Sequence, residues 1–327
     1  MVRSHADRAV FREIPTDSGT GIDKDDSRNW GSPLTGSPDS DYPIDGVALL
    51  AKNKLLRPFL KWAGGKRQLL PELRQYYPKR IACYYEPFLG AGAVLFDLKP
   101  KRAIVNDING ELINTFSVIA HDVETLISDL SRHRNEKDYY YELRDLDRNE
   151  KYQELTDIER ASRIIFLNKT CFNGLFRVNS QGQFNVPFGD YKNPKIVDEV
   201  ALRATSQYLN ANDIHLTTVD FAEALQDATK GDFVYLDPPY DPVSDTSSFT
   251  GYNLDGFGRE EQLRLKSVFD DLSRRGCRVL LSNSATEFIK DLYREYRMEI
   301  IGAARAINSD ATRRGKVNEV LVMNYSR

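Results

Sequence analysis

The chain has 327 residues, of which 41% are hydrophobic and 28% charged, with a formal net charge of −3 at pH 7. That length can bury a sizeable core. Its apolar runs, such as Val279-Leu280-Leu281, are far too short to span a bilayer, and its charge balance excludes a small, wholly basic nucleic-acid binder while allowing a local basic cleft on a larger enzyme.

The amino terminus carries His5, Asp7 and Arg8 and no apolar h-region, so no secretory signal is expected. Residues 1–54 include the breaker-rich stretches Thr16-Asp17-Ser18-Gly19-Thr20-Gly21 and Gly31-Ser32-Pro33-Leu34-Thr35-Gly36-Ser37-Pro38, and read as a flexible extension. From Pro58 onward, short apolar strands alternate with helical stretches, the pattern of an α/β sheet. Ala82 to Glu86 reads as a strand, followed by a turn with Pro87, Gly90 and Gly92 and a short helix to Leu98. Ala103 to Asp107 is the next strand, and Glu111 to Ile119 the next helix.

A polar, helix-prone stretch from His121 to Arg163 carries Tyr139-Tyr140-Tyr141 and leads into a Gly/Asn-rich segment from Cys171 to Tyr191. Strands return at His215–Val219, Phe233–Leu236 and Arg278–Ser282, helices are expected at 260–274 and 285–293, and a last strand runs from Glu319 to Tyr325. The reading is one α/β domain, 55–120 and 206–327, interrupted by a mainly helical insertion, 121–205. Cys83, Cys171 and Cys277 form no C-x-x-C, and His5, His121, His133 and His215 are scattered, so no metal site is expected and a reducing, cytoplasmic setting is.

Two loops carry chemistry. Glu86-Pro87-Phe88-Leu89-Gly90-Ala91-Gly92 lies between a strand and a helix, where glycines let a ligand approach the backbone, and Asp107 ends the next strand, where a carboxylate can accept both hydroxyls of a ribose. The absence of G-x-G-x-x-G and of a Walker lysine disfavours a pyrophosphate and suits a cationic nucleoside such as S-adenosyl-L-methionine, with Glu86 as a nearby carboxylate. The second loop, Asp237-Pro238-Pro239-Tyr240, follows an apolar strand. Its prolines fix φ and remove two N–H donors, leaving carbonyls to accept. An exocyclic amino group is a poor nucleophile. A carboxylate (Asp237) and a carbonyl (Pro238) accepting its two N–H bonds would aim its lone pair at a methyl sulfonium, with Tyr240 stacking on the base. The loop alone fits adenine in DNA, an RNA base, cytosine N4 or a glutamine amide equally.

Four blocks in order resemble the Dam-type DNA adenine-N6 methyltransferases, including the DpnII-type modification enzymes: Phe59-Leu60-Lys61-Trp62-Ala63-Gly64-Gly65-Lys66, Glu86 to Gly92 with Asn106-Asp107, Phe172-Asn173-Gly174-Leu175-Phe176-Arg177, and Asp237 to Tyr240. The likeness covers Pro58 to Tyr325. It implies a Rossmann-like S-adenosylmethionine-dependent methyltransferase fold with an inserted, mainly helical target-recognition domain, which acts as a monomer on 5′-GATC-3′ in double-stranded DNA by flipping the adenine. By this resemblance Trp62, Lys66, Phe88 and Asp107 contact the cofactor, Asp220 and Phe221 flank its adenine, and Asp237 is both catalytic and close to it. Arg177 matches a guanine-reading arginine, Leu175 and Pro187 match apolar contacts to the central base pairs, and Phe172 with Asn173 stands where an aromatic wedges into the duplex. Lys61 matches a reader of the outer guanine. Ordinary core packing for Phe172 and Leu175, and a surface salt bridge for Arg177, are the competing readings. Arg313-Arg314-Gly315-Lys316 is either a phosphate contact or a solvated loop. A functional pairing with a restriction endonuclease is compatible with the sequence, and so is a solitary role.

Overall fold

The computed structural model describes residues 55–242, 257–304 and 316–326; the expected extension and Arg313-Arg314-Gly315 lie outside them, and Lys316 is described only in its backbone. Among the described residues, strands β1 (Tyr84–Glu86), β2 (Arg102–Asn106), β3 (Asp213–Thr217), β4 (Phe233–Leu236), β5 (Arg278–Ser284), β6 (Arg297–Ala304) and β7 (Lys316–Met323) form one sheet in the order β3-β2-β1-β4-β5-β7-β6. The first five strands in that order are parallel, and β7 runs antiparallel between β5 and β6. The helices are α1 (Leu70–Leu73), α2 (Ala93–Leu98), α3 (Gly110–His121), α4 (Val123–Leu130), α5 (Lys137–Asp145), α6 (Asp157–Thr170), α7 (Glu199–Ala211), α8 (Phe221–Ala224), α9 (Arg259–Arg274) and α10 (Glu287–Leu292). None is long and apolar enough to cross a membrane.

The central strands are covered on both faces, as parallel strands with helical crossovers must be. Along β4 and β5, alternate residues serve opposite cores. Phe233, Tyr235 and Leu280 pack with Leu112, Phe116 and Ile119 of α3 on one face, whereas Val234, Leu236, Val279 and Leu281 pack with Leu265, Phe269 and Leu272 of α9 on the other. Chain order reverses at β1. β2 and β3 lie to one side of it and β4 to the other, so the carboxyl ends of β1 and β4 open onto a crevice of the kind where such sheets bind ligands.

The insertion is built around α6. A capping box starts this helix: Glu159 N donates to Thr156 Oγ1 at 3.2 Å and Thr156 N donates to Glu159 Oε2 at 2.8 Å. Ala161, Ile164 and Ile165 on α6 join the sheet-side core, while Phe166 and Leu167 turn to a separate cluster with Tyr140, Cys171, Phe184 and Val186. Buried Arg163 pairs with Asp147 at 2.8 Å and donates to the Leu143 and Arg144 carbonyls; the same Asp147 oxygen accepts Phe184 N at 2.7 Å. The division expected at residue 205 falls inside α7, whose Leu202, Tyr208 and Leu209 join the sheet-side core. Strand β6 was not anticipated. It is an edge strand with Arg297 and Glu299 in it and Ile300 half exposed, so it lacks the apolar run that marks a central strand.

His133 is buried at this junction, within 2.7 Å of the Tyr139 hydroxyl and 2.9 Å of Ser162 Oγ. Burial, helped by Arg132, pushes its pKa down to about 4. The unfolded chain, with an ordinary histidine near 6.5, takes up this proton where the folded one refuses it, so stability falls as pH drops from about 6.5 towards 4. Melting temperature measured against pH should show a shallower decline over that window in His133→Gln than in the wild type.

Candidate active site and nucleic-acid interface

The β1 loop is shaped by backbone that only glycine adopts easily. Gly90 and Gly92 have φ of +50° and +70°, and a Cβ on Gly90 would lie 2.9 Å from Cδ1 of Trp62, so the Trp62 indole lies directly against this backbone. Asp107 accepts Gly90 N at 2.9 Å through one oxygen and Asn109 N at 3.0 Å through the other. Buried Asn106 ties three strand ends together. Its Nδ2 donates to the Pro87 and Val219 carbonyls, and its Oδ1 accepts Val219 N and the Thr217 hydroxyl. Glu86 is 2% exposed, and its Oε2 accepts the Tyr84 hydroxyl at 2.9 Å and Leu95 N at 3.2 Å. Burial, reinforced by the charges of Asp237 and Asp107, pushes its pKa well above the carboxylate range and favours its neutral form.

Beyond β3, Asp220 caps α8 by accepting Ala222 N at 2.9 Å, and the Arg264 guanidinium of α9 grips both its oxygens. That guanidinium lies 4.1 Å from the Phe221 ring centroid, and Phe221 packs with Phe88 and Phe257 at centroid distances of 5.5 and 5.9 Å. Arg264 and Phe257 were not found by sequence reading, since a salt bridge across 44 positions leaves no local signal. Ile108 was also missed. It is 74% exposed directly after Asp107, and an isoleucine in an otherwise polar strand-end turn was the available clue.

At the end of β4, Asp237 is fixed on both oxygens: Ser282 Oγ of β5 donates at 2.9 Å to Oδ1, and Lys66 Nζ pairs with Oδ2 at 2.7 Å. The Ser282 hydroxyl is itself 2.9 Å from that of buried Tyr235. Lys66 is 5% exposed, donates to the Gly64 carbonyl at 2.6 Å, and lies 4.8 Å from the centroid of the Tyr240 ring. Tyr240 donates its hydroxyl to Glu319 at 2.8 Å. The Pro239 carbonyl accepts Gln262 Nε2 at 2.8 Å.

The recognition segment begins where α6 ends. Buried Asn168 accepts Lys61 N at 2.9 Å and donates to the carbonyls of Lys61 and Gly174 at 2.7 and 3.2 Å. Trp62 stacks on Phe176 with centroids 4.5 Å apart. Phe172 N donates to the Pro187 carbonyl at 2.8 Å, closing the segment into a hairpin-like loop, and Asn173 takes a left-handed φ of +57°. Phe172 is 48% exposed and so is not a core residue; Asn173, Pro187 and Lys61 are exposed with it. Leu175 is half-buried against the small cluster of the insertion. Arg177 is exposed and makes no salt bridge among the described residues; its Nε donates to Asn185 Oδ1 at 2.7 Å. Lys61 Nζ lies 5.5 Å from the Tyr191 ring centroid.

The mostly parallel sheet, with a fixed acid-Pro-Pro-aromatic loop beside a glycine loop at its edge, has the form of a Rossmann-like methyltransferase. Comparison with known proteins narrows it. Residues 62–307 match the family model described as D12 class N6 adenine-specific DNA methyltransferase. A type II methyltransferase of Lactococcus lactis subsp. cremoris is 46% identical over 280 residues, spanning 85% of this chain and 99% of that protein. One of Methanocaldococcus jannaschii is 41% identical over 83% of this chain and 99% of its own length, and the DNA adenine methylase of Escherichia coli is 33% identical over 82% and 95%. The chain belongs to the D12 class of N6 adenine-specific DNA methyltransferases, a family of Rossmann-like methyltransferase fold.

Among the described residues, Asn168 is the one buried side chain that bonds both the block before β1 and the recognition segment. Asn168→Ala leaves Lys61 N and two carbonyls without partners, and a loss of about 2–3 kcal/mol in unfolding free energy is expected from denaturant titration. Asn168→Asp, which keeps the acceptor but sets a buried acid against two carbonyls, should destabilise as well.

Proposed function

We propose that the chain transfers a methyl group from S-adenosyl-L-methionine to N6 of an adenine flipped out of duplex DNA within 5′-GATC-3′. The observation that carries this reading is Asp237, held at both oxygens at the carboxyl edge where β1 and β4 lie side by side, near the glycine loop on which Trp62 packs. The residues fit such a cofactor. The edge offers carboxylates and no phosphate cradle, which suits a cationic nucleoside. Trp62, packed on the Gly90 backbone, would wall the site, Asp107 would take its ribose, and Phe88, Phe221 and Asp220 would flank its adenine. Lys66 and Asp237 would lie at its amino-acid end, with Glu86 as a buried wall. Bound there, the cofactor supplies an electrophilic methyl group on a sulfonium.

The rest is positioning. Asp237 accepts one N–H of the target amino group and the Pro238 carbonyl the other, which concentrates the nitrogen lone pair on the side facing the methyl group. Tyr240, held by Glu319, stacks on the base. Methylation leaves the nitrogen with one proton too many, and it passes to solvent from the side that Asp237 contacts. Phe172, exposed on the tight turn at Asn173, is placed to fill the gap left by the flipped base and to offset the few kcal/mol that unstacking costs. Asn185 engages one edge of Arg177 and leaves the other guanidinium N–H groups for guanine O6 and N7. Lys61, Leu175 and Pro187 complete the site reading by their resemblance to the family pattern. We assign residues 121–205 as the target-recognition part. We further propose a functional pairing with a restriction endonuclease and action as a monomer; two relatives are named type II methyltransferases.

Purified protein with labelled cofactor is expected to put N6-methyladenine into a GATC duplex and not into a scrambled one. Asp237→Ala should lower the rate by at least about a hundredfold while the protein stays folded. A different methylated base, or full activity in that variant, would overturn the reading. Arg177→Ala should lose about 1–3 kcal/mol of discrimination at one guanine, roughly 5- to 150-fold, read by competition between GATC and singly substituted duplexes.

A further inference from the structure

We infer that Gln262 and Asn283 are positioning residues that decide which carbonyl of the Asp237-Pro238-Pro239-Tyr240 loop is left for the target amino group. The inference rests on the methyl-transfer reading of that loop. Consecutive prolines give the loop no N–H at Pro238 or Pro239, so it cannot hold its own shape by backbone hydrogen bonds. Side chains must do it, and the two carbonyls must be told apart.

The polarity of the arrangement is set from the backbone outward. Asp241 N and Ser284 N both donate to Asn283 Oδ1, at 3.1 and 2.8 Å. Two N–H donors on one atom require it to be the oxygen, so the amide nitrogen of Asn283 faces Gln262 and donates to its Oε1 at 3.1 Å. Gln262 is then forced to present Nε2 to the Pro239 carbonyl, at 2.8 Å. Both amides are buried, 1% and 0% exposed, so water cannot substitute for either partner. Asp241, also buried, is steadied by the Thr286 hydroxyl at 2.7 Å, with Arg259 3.8 Å from its other oxygen.

The consequence lies one residue upstream. The proline rings fix φ at both positions and Pro239 confines ψ of Pro238 to the extended range, so ψ of Pro239 is the soft torsion that remains. Ser282 and Lys66 anchor Asp237 on one side, and Gln262 anchors the Pro239 carbonyl on the other. Among the described residues nothing hydrogen-bonds to the Pro238 carbonyl, which is held between those anchors. Gln262 touches neither base nor cofactor in this scheme and acts through the loop.

The full chain carrying Gln262→Glu keeps the acceptor for Asn283 and loses the donor to Pro239. Asn283→Asp keeps both backbone bonds and loses the donor that fixes Gln262, whose amide is then free to turn its oxygen towards Pro239. Gln262→Met, close in size and uncharged, removes the donor without burying an acid, should either acidic variant fail to fold. Single-turnover methylation of a GATC duplex should slow roughly tenfold to a hundredfold in each. The affinities for S-adenosyl-L-methionine and for the duplex should stay within about twofold, and the double variant Gln262→Met, Asn283→Asp should be no slower than the slower single one, because one relay is broken once. A wild-type rate in Gln262→Met, or a slowing that merely follows lost cofactor affinity, overturns the relay. Asp237→Ala assayed alongside separates the two readings. If it is inactive while Gln262→Met is unimpaired, only the relay fails, and if it is active the methyl-transfer reading fails as well.

Discussion

The carboxylate of Asp237 is gripped from two directions, by Ser282 at the end of β5 and by Lys66 from the segment before β1, and much of the fold is needed to bring those partners together. β5 must lie beside β4 in parallel for Ser282 to reach across, and its register pairs Leu236 with Leu281, which sets Asp237 opposite Ser282. Lys66 reaches the same carboxylate only because its block crosses the carboxyl edge of the sheet at the reversal between β1 and β4. Its ammonium is almost fully buried, and a buried cation is tolerable only where it is paired and hydrogen-bonded, here by Asp237 and the Gly64 carbonyl with the Tyr240 ring nearby.

The same block before β1 serves the recognition side. Lys61 is bonded through its backbone to Asn168 of α6, and Trp62 lies between the Gly90 backbone and the ring of Phe176. One short stretch, residues 61–66, therefore touches the glycine loop, the acid loop and the hairpin that carries Arg177. Gly174 is part of the same fit: a Cβ there would lie 2.3 Å from Lys61 Cδ, and its φ of +63° disfavours any other residue. A packed contact of this kind gives a physical route by which occupancy of one side could stiffen the other.

The central strands were legible in the sequence because burial on both faces writes them as unbroken apolar runs, and β4 begins and ends where Phe233–Leu236 predicts. The loops were legible because glycine and proline at strand ends mark backbone geometry directly. The parts that escaped are those whose partners are far away in the chain. Arg264 on Asp220, Gln262 on Pro239 and Asn283 on Gln262 are ordinary polar residues within a helix or strand, and only the fold brings them to the site. Edge strand β6, paired on one side, carries too many charges to read as a strand. The limits of the insertion blurred for a related reason: α6 faces two cores at once, so its apolar pattern belongs to both.

The acids at the carboxyl edge divide their roles by burial. Asp107 and Asp237 each keep their oxygens engaged by backbone or by partner side chains, and Asp237 has a cation at 2.7 Å. Glu86, deeper and without a cation within bonding distance among the described residues, is pushed up by burial first and then by the charges of those two neighbours. Three ionised carboxylates at one sheet edge would repel one another, and the cheapest to neutralise is the one with the least access to water. Glu86 then holds the start of α2 through Leu95 N.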